Sequence, residues 1–166
     1  MSQRDRNLFV NRLHSHFHEL FTRYVDVYGH QFDCYYHLSQ LVLSLATGLK
    51  NRKADLKRLD KARSDVDKLW HQQENQVGMA CYVDLMGPTL TELQAKIPYF
   101  KSLGLTYLHL MPLYASPEGD SDGGYAVSDY RKVNPVLGNM KELEALSKAL
   151  REAGINLVLD FVFNHT

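Results

Sequence analysis

Residues 155–166 read INLVLDFVFNHT, a strand-length and mostly apolar run that passes into polar groups. Asp160 stands inside this run, where a carboxylate is costly unless it is paired or hydrogen-bonded. The end of a strand at a polar site supplies such partners. The stretch therefore predicts a buried β-strand that ends at a polar, functional edge of a sheet.

Two earlier apolar runs of strand length, Val77–Val83 and Leu105–Leu110, complete the pattern. A helix that Thr89 caps and Gly104 ends separates them, and a second helix ends at Gly154. Apolar strands joined by helical crossovers pair in parallel, with the helices on one face. The fold class is therefore α/β. The other face needs a cover, either the N-terminal helices or closure into a (β/α)₈ barrel, of which this chain would hold three of the eight units.

Composition divides the chain of 166 residues near residue 74. Residues 1–73 contain no proline and 12 Lys and Arg against 8 Asp and Glu; residues 74–166 contain all 5 prolines and 7 basic against 11 acidic side chains. Apolar residues recur every three or four positions in the first segment. We therefore predict an N-terminal helical domain over 1–73, made of three amphipathic helices, and an α/β segment over 74–166.

Several classes of function are disfavoured by composition. The net charge is zero, so a nucleic-acid partner is not expected. No apolar segment follows the N-terminus, and the longest helix-like apolar patch, Leu41–Ala46, is far shorter than the roughly 20 residues of a membrane span. We interpret Cys34 and Cys81 as free thiols, which are typical of a reducing compartment. These observations predict a cytoplasmic protein without a membrane partner.

The loop after the second strand is the first candidate site, because ligands of parallel α/β folds gather where strands end. There is no Lys or Arg between Lys101 and Arg131. Carboxylates and aromatic faces suit a sugar, although such a loop is equally typical of a solvated connection. The acidic and tyrosine side chains are Glu118, Asp120, Asp122, Asp129, Tyr114, Tyr125 and Tyr130.

Two metal hypotheses are weak. Glu118, Asp120 and Asp122 imitate a calcium loop, but an EF-hand needs a helix on each side, and a strand is predicted before this loop. His14 and His18 share a helix face, yet two ligands do not complete a zinc site.

The sequence resembles the α-amylase superfamily of glycoside hydrolases, and within it the amylosucrases. The run DFVFNH at 160–165 is similar to the first signature of that superfamily, at the end of the third barrel strand. DGGYAVSDYR at 122–131 and YLHLMPL at 107–113 are similar to the amylosucrase form of the second strand and the segment after it. A helical N-terminal domain is a further trait of amylosucrases.

The resemblance implies roles for individual residues. Tyr125 would stack on the glucosyl ring of sucrose or an α-glucan, Asp122 would help to close that subsite, and His165 would hydrogen-bond the glucose hydroxyls. Asp160 would orient an arginine near the nucleophile, with Asp129 and Asn164 as further supporting residues of the site. Asn164 matches a calcium ligand of many α-amylases, but amylosucrases generally work without that ion, so neither a metal nor a cofactor is expected.

The resemblance also implies what is missing. A retaining enzyme needs a carboxylate nucleophile and a carboxylic general acid, which in this superfamily follow strands four and five, and neither lies within residues 1–166. We therefore expect an N-terminal fragment that is inactive alone. Alternatives are another hydrolase of the superfamily, such as a sucrose hydrolase, or a non-catalytic interaction module. A nucleotide-binding fold is disfavoured, because no glycine-rich phosphate loop follows the first strand.

Overall fold

A computed structural model of the chain describes residues 1–66, 70–119 and 121–162. The chain forms two compact units, Met1–Trp70 and His71–Thr166. Across the described ranges, no helix combines the length and the apolar character that crossing a membrane requires.

The described part of the first unit, residues 1–66 and 70, contains three helices, α1 (Gln3–Tyr28), α2 (Cys34–Asn51) and α3 (Ala54–Val66). Helix α1 packs against α2, and the ammonium of Lys57 lies 2.9 Å from the carboxylate of Asp5, which joins α3 to α1. The helices occur where the periodicity predicts them. The third was predicted to continue to Trp70, and residues 67–69 of that stretch lie outside the described residues. The predicted domain boundary at residue 74 stays a prediction.

The second unit is a mixed α/β structure built on a parallel sheet. Strands β1 (Gly78–Cys81), β2 (Tyr107–Leu110) and β5 (Asn156–Leu159) pair in parallel in the order β1-β2-β5. Strands β3 (Tyr114–Ala115) and β4 (Asp129–Val133) form a separate antiparallel pair. The helices are α4 (Val83–Met86), α5 (Leu90–Ala95), α6 (Ile97–Ser102) and α7 (Met140–Glu152). The α/β class and the parallel pairing are confirmed.

Three local predictions need correction. The predicted helix up to Gly104 is two helices, because Pro98 has no N–H for the carbonyl of residue 94 and its ring crowds that carbonyl. The first strand ends at Cys81, and Val83 already begins α4. The stretch predicted as a loop between the second strand and α7 contains the antiparallel pair β3–β4, whose short strands lack a clear alternating pattern.

The two faces of the parallel sheet differ in burial. Leu108 and Leu110 of β2 are completely buried, whereas Tyr107 and His109, which point to the opposite face, are half-buried. The buried face packs on α5, α6 and α7, and a capping box between Asn139 and Glu142 fixes the start of α7. This core holds the three strands in register, so that their carboxyl ends meet at one edge. Among the described residues, its fully buried helical side chains are Val83, Leu90, Leu93, Phe100, Leu146 and Leu150.

Candidate active site

The carboxyl edge of the parallel sheet brings together residues that are far apart in the sequence. The register pairs His109 with Ala80 on one side and with Val158 on the other. Side chains two residues apart on a strand share a face, so Asp160 follows Val158 on the face that carries His109. The face of the sheet opposite the helical layer therefore ends in a polar group at this edge.

Asp160 is the centre of a hydrogen-bonded network. The Nε2 atom of His109 lies 2.7 Å from Asp160 Oδ1, and the hydroxyl of Tyr125 donates to Oδ2 at 3.1 Å. A carboxylate only accepts hydrogen bonds, so His109 carries its proton on Nε2. The side chains of His109 and Asp160 are 32% and 21% exposed. Strand β5 ends at Leu159, so Asp160 directly follows the strand and does not stand inside it as predicted. Both of its oxygens accept hydrogen bonds from other segments, as a partly buried carboxylate requires.

Tyr125 reaches Asp160 because the preceding turn has an unusual backbone. Asp122, Gly123 and Gly124 have φ angles of 51°, 66° and 91°, in the left-handed region that favours glycine. A Cβ atom on Gly124 would lie 3.2 Å from the Cβ atom of Pro112, so a side chain there would crowd the chain after β2. The N–H of Tyr125 donates to the carbonyl of Asp122 and closes the turn. The DGG sequence therefore sets the direction in which Tyr125 leaves the loop.

The surroundings of Tyr125 alter its ionisation. Partial burial raises the pKa of the Tyr125 phenol, and the carboxylate of Asp160, which accepts its hydrogen bond, raises that pKa further. Tyr82, which follows β1, and Asp122 contribute in the same direction. The Tyr82 hydroxyl lies 3.5 Å from the position that a Cβ atom on Gly123 would take. Tyr125 is therefore a neutral phenol at physiological pH, and its hydroxyl proton is directed at Asp160.

The other predicted site residues are placed differently. Asp122 is exposed, in the turn before Tyr125. Asp129 begins β4, where it accepts a hydrogen bond from the Arg131 N–H at 2.8 Å and pairs with the Lys132 ammonium at 3.2 Å; these contacts lower the pKa of its carboxyl. Both of these partners of Asp129 lie within its own strand. Asn164 and His165 lie outside the described residues.

The tyrosines of the acidic loop separate into two groups. Tyr125 donates a hydrogen bond to Asp160, whereas Tyr114 and Tyr130 pack against Phe161, the residue after Asp160. The Tyr130 and Phe161 rings are stacked with centroids 4.2 Å apart, and the Tyr114 ring meets them edge-on at 5.4 and 6.3 Å.

Strands β3 and β4 flank the acidic loop where an EF-hand would need helices, so the calcium-loop hypothesis for Glu118, Asp120 and Asp122 fails. Asp120 itself lies outside the described residues.

Sequence reasoning missed His109 and the contact between Tyr130 and Phe161. A signal for His109 exists in the strand Tyr107–Leu110, where Tyr and His alternate with two leucines. Such alternation places His109 on the face opposite the helical layer. Parallel pairing with the third strand then puts it beside the residues that lead to Asp160. No comparable local signal marks the Tyr130 contact.

Comparisons with known proteins agree on one family. A sequence profile of the α-amylase catalytic domain matches residues 62–166. Glucan 1,6-α-glucosidase of Streptococcus dysgalactiae subsp. equisimilis is 35% identical over 101 residues, which cover 58% of this chain and 18% of that enzyme. Oligo-1,6-glucosidase of Parageobacillus thermoglucosidasius is 40% identical over 72 residues, 43% of this chain and 12% of that enzyme.

Solved structures of similar proteins indicate the same family. A variant of MutB, the trehalulose synthase of Pseudomonas mesoacidophila, crystallised with its substrate sucrose, matches with a TM-score of 0.50 and 31% identity over 60% of this chain and 18% of that one. A family GH13_31 enzyme matches with a TM-score of 0.50 and 31% identity over 58% of this chain and 19% of that one. The chain thus spans less than a fifth of the length of these relatives.

Proposed function

Because the chain belongs to the α-amylase family of glycoside hydrolases, we propose that it carries the substrate-binding side of an amylosucrase-like glucosyl site. The parent enzyme would take glucose from sucrose, through a covalent glucosyl-enzyme, and pass it to an α-glucan or to water. In this proposal residues 1–73 are its helical domain and residues 74–166 are the first three units of its (β/α)₈ barrel. The sheet order β1-β2-β5 is consistent with such a partial barrel.

The observation that carries the proposal is the hydrogen bond from Tyr125 to Asp160 at the carboxyl edge of the sheet. Because the Tyr125 hydroxyl is engaged, its ring face is the part left to meet a ligand. An aromatic face suits the apolar side of a pyranose ring. Asp122, exposed one turn earlier, supplies a carboxylate for hydroxyl groups or for an arginine that closes the subsite.

The proposed role of Asp160 is positioning. Each of its oxygens already accepts one hydrogen bond, and each has one further lone pair available. An arginine guanidinium matches such a pair of oxygens. Asp160 would therefore orient a cation near the reacting carbon, while the covalent bond to glucose forms at another carboxylate.

Relatives with other specificities supply the second candidate. The glucan 1,6-α-glucosidase and oligo-1,6-glucosidase, by their names, cleave α-1,6-linked glucose, and the MutB crystal holds sucrose. These matches favour a hydrolase or isomerase for an α-glucoside as strongly as a polymer-forming enzyme. The sequence similarity at 107–113 and 122–131 supports the amylosucrase type. Product analysis of the parent enzyme on sucrose, with α-glucan as acceptor, distinguishes hydrolysis, isomerisation and polymer formation.

We expect the 166 residues alone to leave sucrose intact. Retaining catalysis needs two carboxyl groups about 5 to 5.5 Å apart that flank the bond, and the family resemblance assigns both to strands four and five. Fructose release from sucrose, measured with an enzyme-coupled assay, should equal that of the buffer blank. Release that scales with protein concentration and is lost in Asp160→Asn would show that this chain contains its own reacting groups.

Binding tests the proposed subsite directly. Replacement Tyr125→Ala should weaken glucose and sucrose binding about tenfold, because one stacked ring contributes about 1.4 kcal/mol. Saturation-transfer NMR titrations of the wild-type chain supply the reference affinity. Tyr99→Ala, which removes a half-exposed tyrosine from α6, is the matched control and should bind as the wild type does. Equal affinities of Tyr125→Ala and the wild type would contradict the proposed role of Tyr125.

A further inference from the structure

Tyr130 connects two segments that supply the candidate site separately. Its hydroxyl donates to the carbonyl of Val162 at 2.6 Å, and its ring stacks on Phe161 with an interplanar angle of 14°. Tyr130 belongs to β4, which follows the loop that carries Tyr125. Phe161 and Val162 directly follow Asp160. One side chain thus holds the residues that follow β5 by a short hydrogen bond and by a ring contact.

The partner strand of the hairpin reinforces this connection. Tyr114 of β3 meets both Tyr130 and Phe161 edge-on. Phe161 is 49% exposed even with both tyrosine rings in contact. Both strands at the base of the acidic loop therefore contact the residue that follows Asp160.

The loop is closed at its base. The N–H of Ser128 donates to the carbonyl of Ala115 at 2.8 Å, and the Ser128 hydroxyl donates to the same oxygen at 3.0 Å. The turn at Asp122 closes the loop again just before Tyr125. Because hydrogen bonds close the loop at both places, its position depends on the position of β3 and β4. The contact of the β3–β4 pair with the residues after Asp160 therefore also places the Tyr125 hydroxyl against Asp160.

We propose that Tyr130 is a positioning residue of the site: by fixing the β3–β4 hairpin to the end of β5, it holds the hydroxyl of Tyr125 on the carboxylate of Asp160. Its own hydroxyl and ring are engaged with Val162 and Phe161, so it contributes to the site through Tyr125. This role rests on the proposed function, since it matters for sugar binding only if the Tyr125 ring faces the sugar.

The ionisation of Tyr125 in the ligand-free chain tests this coupling. Among the residues that the structure describes, the charged or titratable groups around its phenol are Asp160, Tyr82 and Asp122, with His109 in contact with Asp160. In a chain labelled with ¹³Cζ-tyrosine, NMR follows each phenol during a pH titration, and the resonance lost in Tyr125→Phe identifies Tyr125. Asp160→Asn removes the negative acceptor and should lower the midpoint pH at which the Tyr125 phenol ionises. The size of this fall is the reference for losing the contact between Tyr125 and Asp160.

Tyr130→Phe keeps the ring and removes the hydrogen bond to Val162. We expect it to lower the Tyr125 midpoint in the same direction as Asp160→Asn. Tyr114→Phe removes a hydroxyl from the same aromatic group and keeps both ring contacts, so Tyr125 should titrate there as in the wild type. Circular dichroism at each pH shows whether each variant is folded, and the Tyr125 midpoints are compared only over the pH range in which it is.

An unchanged Tyr125 midpoint in Tyr130→Phe, or equal falls in Tyr130→Phe and Tyr114→Phe, would overturn the positioning role. The titration contains no sugar, so its result does not depend on the proposed activity. Conversely, a chain that titrates as expected but binds neither glucose nor sucrose would contradict the proposed function and leave the positioning role of Tyr130 intact.

Discussion

Replacement Phe100→Ala should destabilise the second unit by about 3 to 5 kcal/mol, the usual cost of removing a fully buried aromatic ring. Phe100 has no exposed surface and lies in the core between the helices and the parallel sheet. Domains of this size are stable by about 5 to 15 kcal/mol, so the loss is a large part of the total. Urea unfolding followed by circular dichroism should show a much lower midpoint or no folded baseline.

The adjacent residue supplies the control. Tyr99 is also aromatic and belongs to the same helix, but its side chain is 50% exposed. Tyr99→Ala should therefore stay within about 1 kcal/mol of the wild type. If both variants unfold at the same urea concentration, the side of α6 that faces the core has been assigned incorrectly.

The second large effect is expected at His109. Replacement His109→Leu leaves Asp160 Oδ1 without the donor that lies 2.7 Å away. A hydrogen bond to a charged group is worth about 1.5 to 3 kcal/mol, and partial exposure of both side chains places this one near 1.5 kcal/mol. Urea unfolding of the second unit at neutral pH measures the loss.

A donor-retaining variant separates the hydrogen bond from packing. In His109→Gln the amide nitrogen can take the place of Nε2 and donate to Asp160. We expect it to recover most of the stability that His109→Leu loses. Equal stabilities of the wild type and His109→Leu would mean that water replaces the imidazole at no cost, and that the pair does not stabilise the end of β5.

Most of the helices and strands could be predicted from local patterns. The spacing of apolar residues in the first segment predicts α1 and α2, and Thr89 and Gly154 mark ends that the structure places within a few residues. Pro98 carried the information that divides α5 from α6, since the constraint that a proline imposes is local. The candidate Asp160 was also identified locally, from the cost of a carboxylate in an apolar strand.

The chain by itself thus determined the α/β class, the helix stripes and the polar end of the third strand, because periodicity, caps and turn residues act between near neighbours. The partner of Asp160 was decided by tertiary structure, since His109 lies 51 positions away and meets it only through the register of β2 with β5. The same holds for the tyrosines of the acidic loop. Tyr125 and Tyr130 are five positions apart and chemically identical, and only the packing of the hairpin against β5 directs one to Asp160 and the other to Phe161.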